Sequence, residues 1–170
     1  MALVLNGDGA ITGLTAGGLP DASITQTDLA TNIAGNGPAF SAYGSTTVSI
    51  SAATPTKVTM NIELFDTNNN YDTSTYRFTP TVAGYYHFSA GVNILNAGSS
   101  VFVGVHKNGT QSLISGYFTS TGTGTIPTSG LLYMNGTTDY AEVWVYSGSN
   151  NSVFGRSDLT YFTGFLARAA

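Results

Sequence analysis

The chain contains no cysteine. Disulfide bonds, thiolate metal ligands and cysteine nucleophiles are therefore excluded together. Charged residues are also scarce: they make up 8% of the 170 residues, against about 25% in an average soluble protein. Disordered chains and solvent-exposed helical bundles both depend on charged side chains, so this composition argues against either class.

Basic residues are few, with five Lys and Arg against nine Asp and Glu and a net charge of −4. They are scattered along the chain, at Lys57, Arg77, Lys107, Arg156 and Arg168. This pattern lacks the basic stripe of a nucleic-acid-binding protein and the basic patch of a membrane-surface protein. No apolar run approaches the roughly 20 residues of a transmembrane helix, and the first residues do not resemble a signal peptide. We expect synthesis in a cytoplasm, without nucleic-acid binding or membrane insertion.

Aromatic residues and short alternating segments dominate from residue 39 onward. The clearest segment alternates apolar side chains at Tyr86, Phe88, Ala90, Val92 and Ile94. Turn residues recur every 8–12 positions, which is typical of all-β sandwiches. We therefore predict an all-β fold, a jelly-roll sandwich of about eight to ten antiparallel strands.

The same region gives three finer predictions, one from the alternation of apolar side chains and two from Asn-Gly pairs. Val58, Met60, Ile62 and Leu64 should face the same side of one strand. Asn108–Gly109 is a two-residue hairpin signal. Asn135–Gly136 should close a second hairpin, between residues 131–134 and 141–146.

Two late strands are apolar on both faces, which is unusual for an antiparallel strand with one wet face. Val143 and Val145 oppose Trp144 and Tyr146, while Tyr161 and Phe165 oppose Phe162 and Leu166. Another subunit is the simplest second cover, and the chain's own loops are the alternative. We predict an obligate oligomer, with interface candidates at Trp144, Tyr146, Phe162 and Leu166.

Residues 1–38 differ from the rest because they are rich in glycine and poor in aromatic side chains. A short helix is predicted within residues 27–34, ending before Gly35. Too few apolar side chains lie here for an independent core. We therefore divide the chain into an extended anchor, residues 1–38, which is expected to need a partner for order, and a β domain, residues 39–170.

The segment from Asp66 to Phe88 resembles the signature of the globular head domain of complement component 1, subcomponent q. This family shares a trimeric jelly-roll fold with tumour necrosis factor. Two other segments are similar to the family: residues 101–109 and the closing strand, residues 161–166. The positions that match the family core are Asp66, Tyr71, Phe78, Gly84, Tyr86, Phe88, Gly164 and Phe165.

The resemblance implies a homotrimer that assembles through aromatic contacts. Met60 and Ala90 replace expected aromatic residues, which alters packing more than topology. Some family members bind calcium through loop carboxylates, so Asp66 or Asp72 are candidate calcium ligands. The alternative is a polar turn in which these side chains accept local hydrogen bonds. No other cofactor is expected.

Residues 1–21 contain the motifs Asn6-Gly7-Asp8-Gly9 and Gly17-Gly18-Leu19-Pro20, and a Ser/Thr-rich stretch follows to residue 34. This opening resembles the start of many tail-fibre and other virion proteins of bacteriophages. The resemblance implies a virion protein, made in the bacterial host, with residues 1–38 attached to other virion proteins. One interpretation is a tail-fibre or baseplate module that binds the host surface, with a surface saccharide as the expected partner. The alternative is a capsid decoration protein that stabilises the head as a trimer.

Catalytic groups are sparse. His87 and His106 lie on predicted strands, and neither has the spacing of a Ser-His-Asp arrangement. The nine carboxylates are scattered without sign of a catalytic pair in a cleft. We therefore predict a protein that is not an enzyme. The polar run around Thr119, Thr121, Thr123 and Thr125 is the candidate exposed binding loop.

Overall fold

The computed structural model describes residues 4–5, 11–12, 35–96, 98–119 and 122–170. The chain forms two compact units, Met1–Thr31 and Asn32–Ala170. In the first unit, strand β1 (Val4–Leu5) pairs in antiparallel fashion with β2 (Ile11–Thr12). The helix predicted within residues 27–34 lies outside the described residues.

Short strands build the described part of the second unit, and none of its described residues is helical. Its strands are β3 Ala39–Tyr43, β4 Val48–Ile50, β5 Thr56–Lys57, β6 Ile62–Asp66, β7 Tyr71–Asp72, β8 Arg77–Phe78, β9 Gly84–Leu95, β10 Ser100–Lys107, β11 Thr110–Ile114, β12 Phe118–Thr119, β13 Gly124–Met134, β14 Ala141–Ser147, β15 Asn151–Val153 and β16 Tyr161–Ala169. They exceed the predicted number because several have only two or three residues. Among the described residues, no helix is long and apolar enough to cross a membrane.

These strands form two antiparallel sheets that pack as a jelly-roll sandwich. Sheet 1 has the order β4-β15-β9-β16-β3-β6, and β13 pairs along the other side of β9. Sheet 2 has the order β11-β10-β14-β8-β7, with β12 and β5 pairing to β10 and β14. The predicted fold class is therefore confirmed.

The core between the sheets is built around stacked aromatic rings. Phe40 is central: its ring centroid lies 4.2 Å from Phe78, 4.9 Å from Phe162 and 5.2 Å from Tyr71. The inward residues of β9 are fully buried, as their alternation predicts. Gly164 permits this packing, because a Cβ there would approach the rings of Phe40 and Phe88 to 2.8 Å.

The two Asn-Gly pairs have different outcomes. Asn108 and Gly109 have positive φ angles and join β10 to β11, so the first hairpin is confirmed. The second hairpin prediction is wrong, because β13 pairs with β9 while β14 pairs with β10. Residues 135–140 instead carry the chain from sheet 1 to sheet 2. Asn135 Oδ1 accepts hydrogen bonds from the amides of residues 137, 138 and 139, which fixes this crossover.

The predicted common face of Val58, Met60, Ile62 and Leu64 is only half right. Val58 and Met60 are buried, but Ile62 and Leu64 are exposed. The reason is that β6 begins at Ile62 as an edge strand of sheet 1, paired only with β3. Alternation within the sequence therefore ends where the chain leaves the core.

The jelly roll has two ends, which the strand pairing identifies. At the N-terminal end, Ala39 lies opposite Phe165, and Gly84 lies opposite both Met134 and Ala169. At the distal end, Ile94 pairs with both Gly124 and Val153. Polar connections around residues 44–47, 98–99, 122–123 and 148–150 lie at this distal end, whereas those around residues 67–70 and 135–139 lie at the N-terminal end. The chain therefore enters the jelly roll at the end away from the distal loops.

Candidate assembly faces and loops

The outer face of sheet 1 exposes large apolar side chains near the N-terminal end. Leu131, His87 and Phe165 lie side by side across β13, β9 and β16. Leu131 is 57% exposed and Phe165 is 51% exposed. Tyr85 and Tyr133 form a neighbouring ring pair with centroids 5.5 Å apart. We call this surface, defined by Tyr85, Leu131, Tyr133 and Phe165, the sheet-1 patch.

Further apolar side chains are exposed at two edges of the sandwich. On edge strand β6, Leu64 and Phe65 are 60% and 51% exposed. At the edge formed by β11 and β12, the exposed apolar side chains are Ile114, Tyr117 and Phe118. Large exposed apolar side chains that cluster are typical of interaction surfaces in soluble proteins. The described part of the chain therefore has candidate interaction surfaces at both edges.

The outer face of sheet 2 also has aromatic residues, but neighbouring side chains cover them. Tyr146 stacks on Phe102 with centroids 4.9 Å apart, and Trp144 stacks on His106 at 5.1 Å. The indole Nε1 of Trp144 donates a 3.0 Å hydrogen bond to Glu142. Burial lowers the pKa of His106, which favours the neutral ring in this stack.

Glu142 is the centre of this sheet-2 arrangement, although its side chain is only 1% exposed. Its carboxylate accepts hydrogen bonds from Lys57 at 3.1 Å and from Arg77 at 3.0 Å. Burial by itself raises the pKa of Glu142, but the hydrogen bonds from Arg77, Trp144 and Lys57 outweigh it, so the pKa lies below its usual range. Glu142 is therefore a structural anion.

Two of the predicted interface residues are wrong. Phe162 is 0% exposed and Leu166 is 2% exposed, so both belong to the core of a single chain. On β16 the inward positions are 162, 164 and 166, which leaves Tyr161 and Phe165 on the outer face. The sequence correctly predicted a strand that is apolar on both faces, but the prediction exchanged its inner and outer faces. The other two candidates, Trp144 and Tyr146, are half-buried beneath their own ring partners and remain untested predictions.

The residues matched to the family signature lie mostly where the resemblance places them. Tyr71, Phe78, Tyr86 and Phe88 are buried core residues, and Gly84 and Gly164 are buried glycines of sheet 1. Burial raises the pKa of Tyr86 to about 12, and its hydroxyl donates to the carbonyl oxygen of Val82. The exception is Phe165, which lies in the sheet-1 patch and not in the core.

The candidate calcium ligands serve as turn acceptors. Asp66 accepts hydrogen bonds from the amides of Asn68, at 3.1 Å, and Tyr71, at 2.6 Å. Asp72 accepts from Ser74 and Thr75, and these bonds lower its pKa to about 2. In the described ranges, no group of three or more His, Asp or Glu residues is placed to hold a metal ion. The geometry here is that of the alternative, a polar turn.

The predicted threonine loop is shorter than its sequence suggests. Thr119 lies in β12 and Thr125 in β13, and both are exposed. The hydroxyl of Thr125 accepts a hydrogen bond from Asn93 Nδ2 at 3.1 Å. Thr123 is exposed at the distal end, whereas Thr121 lies outside the described residues.

The comparisons with known proteins agree with this geometry. The sequence profile of the C1q domain matches residues 39–167. The globular domain of zebrafish complement 1qA superposes with a TM-score of 0.58 at 18% identity, covering 79% of this chain and 99% of that one. Murine APRIL superposes with a TM-score of 0.59 at 11% identity, covering 76% and 98%.

The Eiger TNF protein of S. frugiperda gives a TM-score of 0.56 at 11% identity, covering 79% of this chain and 95% of that one. Identities this low establish the fold alone. No curated protein sequence matches significantly. The profile match, however, spans well over half of the chain. The chain therefore belongs to the C1q domain family.

Proposed function

We propose that this protein is a non-enzymatic, homotrimeric binding module of a bacteriophage virion, located on a tail fibre or baseplate, whose distal loops contact the host surface. The observation that carries the proposal is the division of the jelly roll into two ends. The chain enters at Ala39 at one end, and four polar connections, around residues 44–47, 98–99, 122–123 and 148–150, lie at the other. A module attached through its N-terminal segment presents such loops outward.

The uncovered apolar surfaces support the trimer. The sheet-1 patch and the apolar edge of β11 and β12 are different surfaces of the same chain. Two different complementary surfaces form a heterologous contact, which closes into a ring when the rotation between subunits allows it. Trimers are typical of the C1q family. We therefore assign these surfaces to contacts between three copies.

The engagement of the titratable side chains supports a non-enzymatic role. Glu142 is held by Lys57 and Arg77, and Asp139 lies 2.7 Å from Lys107. His106 is stacked against Trp144. Each of these groups holds the sandwich together, whereas a catalytic acid or base needs access to a substrate.

The virion assignment rests on the resemblance of residues 1–38 to the start of bacteriophage tail-fibre proteins. This segment precedes the family match, which begins at Ala39. It is therefore available for attachment to other virion proteins. A saccharide of the host surface is the proposed partner, because hydroxyl and amide side chains at the distal end match its neutral hydrogen-bonding groups.

The experiment compares virions with and without this protein. We expect virions that lack it to assemble but to adsorb poorly to host cells, and an excess of the purified protein to compete with intact virions. Unchanged adsorption would contradict the proposal. A copy number of hundreds per virion, together with fragile heads in its absence, would identify a capsid decoration protein instead.

A further inference from the structure

A polar groove lies at the distal end of sheet 1, between β4, β15 and the last residues of β9. It has a volume of about 590 Å³. Its polar lining consists of Ser49, Ser51, Asn96, Asn150, Asn151 and Ser152. The remaining lining residues, Ile50 and Leu95, are aliphatic. Among the described residues that form the groove, none is charged.

Strand pairing places these residues in a fixed row. Ser49 lies directly opposite Ser152, and Ser152 lies opposite Leu95. Ten residues of β9 separate Leu95 from Tyr85 in the sheet-1 patch. At about 3.3 Å per residue, this corresponds to about 33 Å. The groove is thus a different surface from the apolar patch assigned to assembly.

Most polar side chains of the groove are uncommitted, the exception being Asn151, which is buried and hydrogen-bonded to Ser147 Oγ. Within the described part of the chain, the side chains of Ser49, Ser51, Asn96 and Ser152 make no hydrogen bond. Asn150 uses only its Oδ1, which accepts the amide of Ala52 at 2.8 Å.

Some polar side chains outside the groove are used internally. Asn135, for example, accepts three backbone amides and donates to Thr138. The groove therefore brings several free donors and acceptors together at one concave site.

Asn96 has a left-handed backbone conformation, and its side chain is exposed at the groove. Its φ angle is 54°, in the left-handed region, where Asn is one of the few tolerated non-glycine residues. Asn96 directly follows β9 and is exposed. Its side-chain amide offers a donor and an acceptor at the rim of the groove.

The charges around the chain indicate what kind of ligand fits. Four of the five basic side chains are paired with carboxylates: Lys57, Arg77, Lys107 and Arg156. The chain also has a net charge of −4. An anionic ligand would meet no free cation in the groove and would be repelled by the net charge.

We propose that this groove is a binding site for a neutral saccharide unit. Hydroxyl and amide groups hydrogen-bond sugar hydroxyls as both donors and acceptors, and Leu95 offers an apolar contact for the C–H face of a ring. This inference deepens the proposed host-surface binding by assigning it a ligand class and a location.

The test uses the full-length protein and an array of neutral hexose and N-acetylhexosamine oligosaccharides, with sialylated and phosphorylated oligosaccharides of the same lengths. We expect binding to neutral members only. Titration calorimetry with the best neutral oligosaccharide then compares Asn96→Gly with Asn69→Gly. Both positions are exposed asparagines with φ of 54°, so glycine preserves the backbone at each.

Loss of the Asn96 hydrogen bonds should weaken binding by about three- to tenfold, whereas Asn69→Gly should not change it. The double variant Ser49→Ala/Ser152→Ala should weaken binding by a similar factor.

Unchanged affinity in both groove variants would overturn the assignment of the groove while leaving host adsorption intact. Binding to anionic oligosaccharides alone, or to none of the array, would also overturn it. Adsorption of virions lacking the protein tests the broader function separately.

Discussion

The two sheets have outer faces of similar composition that differ in what covers them. On sheet 2, Trp144 and Tyr146 are stacked on neighbouring rings. Glu142 accepts a hydrogen bond from the indole and forms ion pairs with two cationic side chains. On sheet 1, Leu131 and Phe165 are about half exposed near the N-terminal end. Side chains of the same chain cover the aromatic rings on the outer face of sheet 2, whereas large apolar side chains on the outer face of sheet 1 stay exposed.

This difference in exposure shows that the number of aromatic side chains on a face does not by itself identify an interface. A ring that already has a stacked partner and a hydrogen-bonded tip has little to gain from another subunit. A ring that faces water gains from burial, at roughly 25 cal/mol per Å² of apolar surface. We therefore propose that assembly uses the outer face of sheet 1 together with the β11–β12 edge, and that the stacked outer face of sheet 2 contributes to the stability of the single chain.

The largest effect is expected from a charge in the sheet-1 patch. Phe165→Glu should convert the proposed trimer to monomers, because assembly would bury an unpaired carboxylate. The stability of the single chain should change by only about 0.5 kcal/mol, since Phe165 is 51% exposed. Light scattering behind a sizing column measures the mass, and circular dichroism verifies the fold.

Tyr146→Glu is the matched control for this substitution. It should cost stability through the lost stack on Phe102 and still leave a trimer. If Tyr146→Glu produced monomers while Phe165→Glu did not, the assignment of the two faces would be reversed.

The second effect concerns the internal network of sheet 2. Glu142→Ala leaves Lys57 and Arg77 without their partner and removes the acceptor of the Trp144 indole. We expect the free energy of unfolding to fall by about 3 kcal/mol, measured by denaturant titration.

The exposed pair of Arg156 and Asp158 is the control for this network. Asp158→Ala should change the free energy of unfolding by less than about 1 kcal/mol. Equal losses from Glu142→Ala and Asp158→Ala would show that burial of Glu142 adds nothing.

A third, smaller effect is expected at the crossover between the sheets. Asn135→Ala removes the acceptor for three backbone amides and should cost about 1–2 kcal/mol. Asn135→Asp keeps a side-chain oxygen and should retain much of this stability. If the two variants were equally destabilised in thermal unfolding, the acceptor would not be what fixes the crossover.

The fold class could be predicted from the sequence because two independent features indicate it. The alternation of apolar side chains predicts an all-β sandwich, and the family signature predicts a jelly roll. The inward residues of β9 alternate without interruption, so their burial follows from a period of two. The Asn135–Gly136 pair shows the limit. An Asn-Gly pair predicts a turn, but the partner strand of β13 is chosen by contacts distant in sequence.

The assembly face was harder to predict than the fold. On β16, residues 161–166 are apolar or small on both sides, so the alternation does not state which side is inward. Gly164 decides it, because the absent side chain makes room for two core rings. The distal groove was also missed, since serine and asparagine are common throughout the chain and only strand pairing brings Ser49 beside Ser152.

The smallest effect should be the acid sensitivity of the sheet-2 network. The folded pKa of Glu142 lies below its unfolded value of about 4.3. Its contribution to stability is therefore fully present above that value and lost as the pH falls through the folded pKa. The net effect is small because burial opposes the hydrogen bonds from Arg77, Trp144 and Lys57.

Denaturant titrations between pH 7 and pH 3 should show a difference between the wild type and Glu142→Gln that is constant down to about pH 5 and shrinks below it. A difference that grew with acidity would mean that Glu142 is held protonated. An ionised carboxylate would then not be the group that binds Lys57 and Arg77. The covered outer face of sheet 2 would have to be stabilised by other contacts, such as the ring stacks of Trp144 and Tyr146.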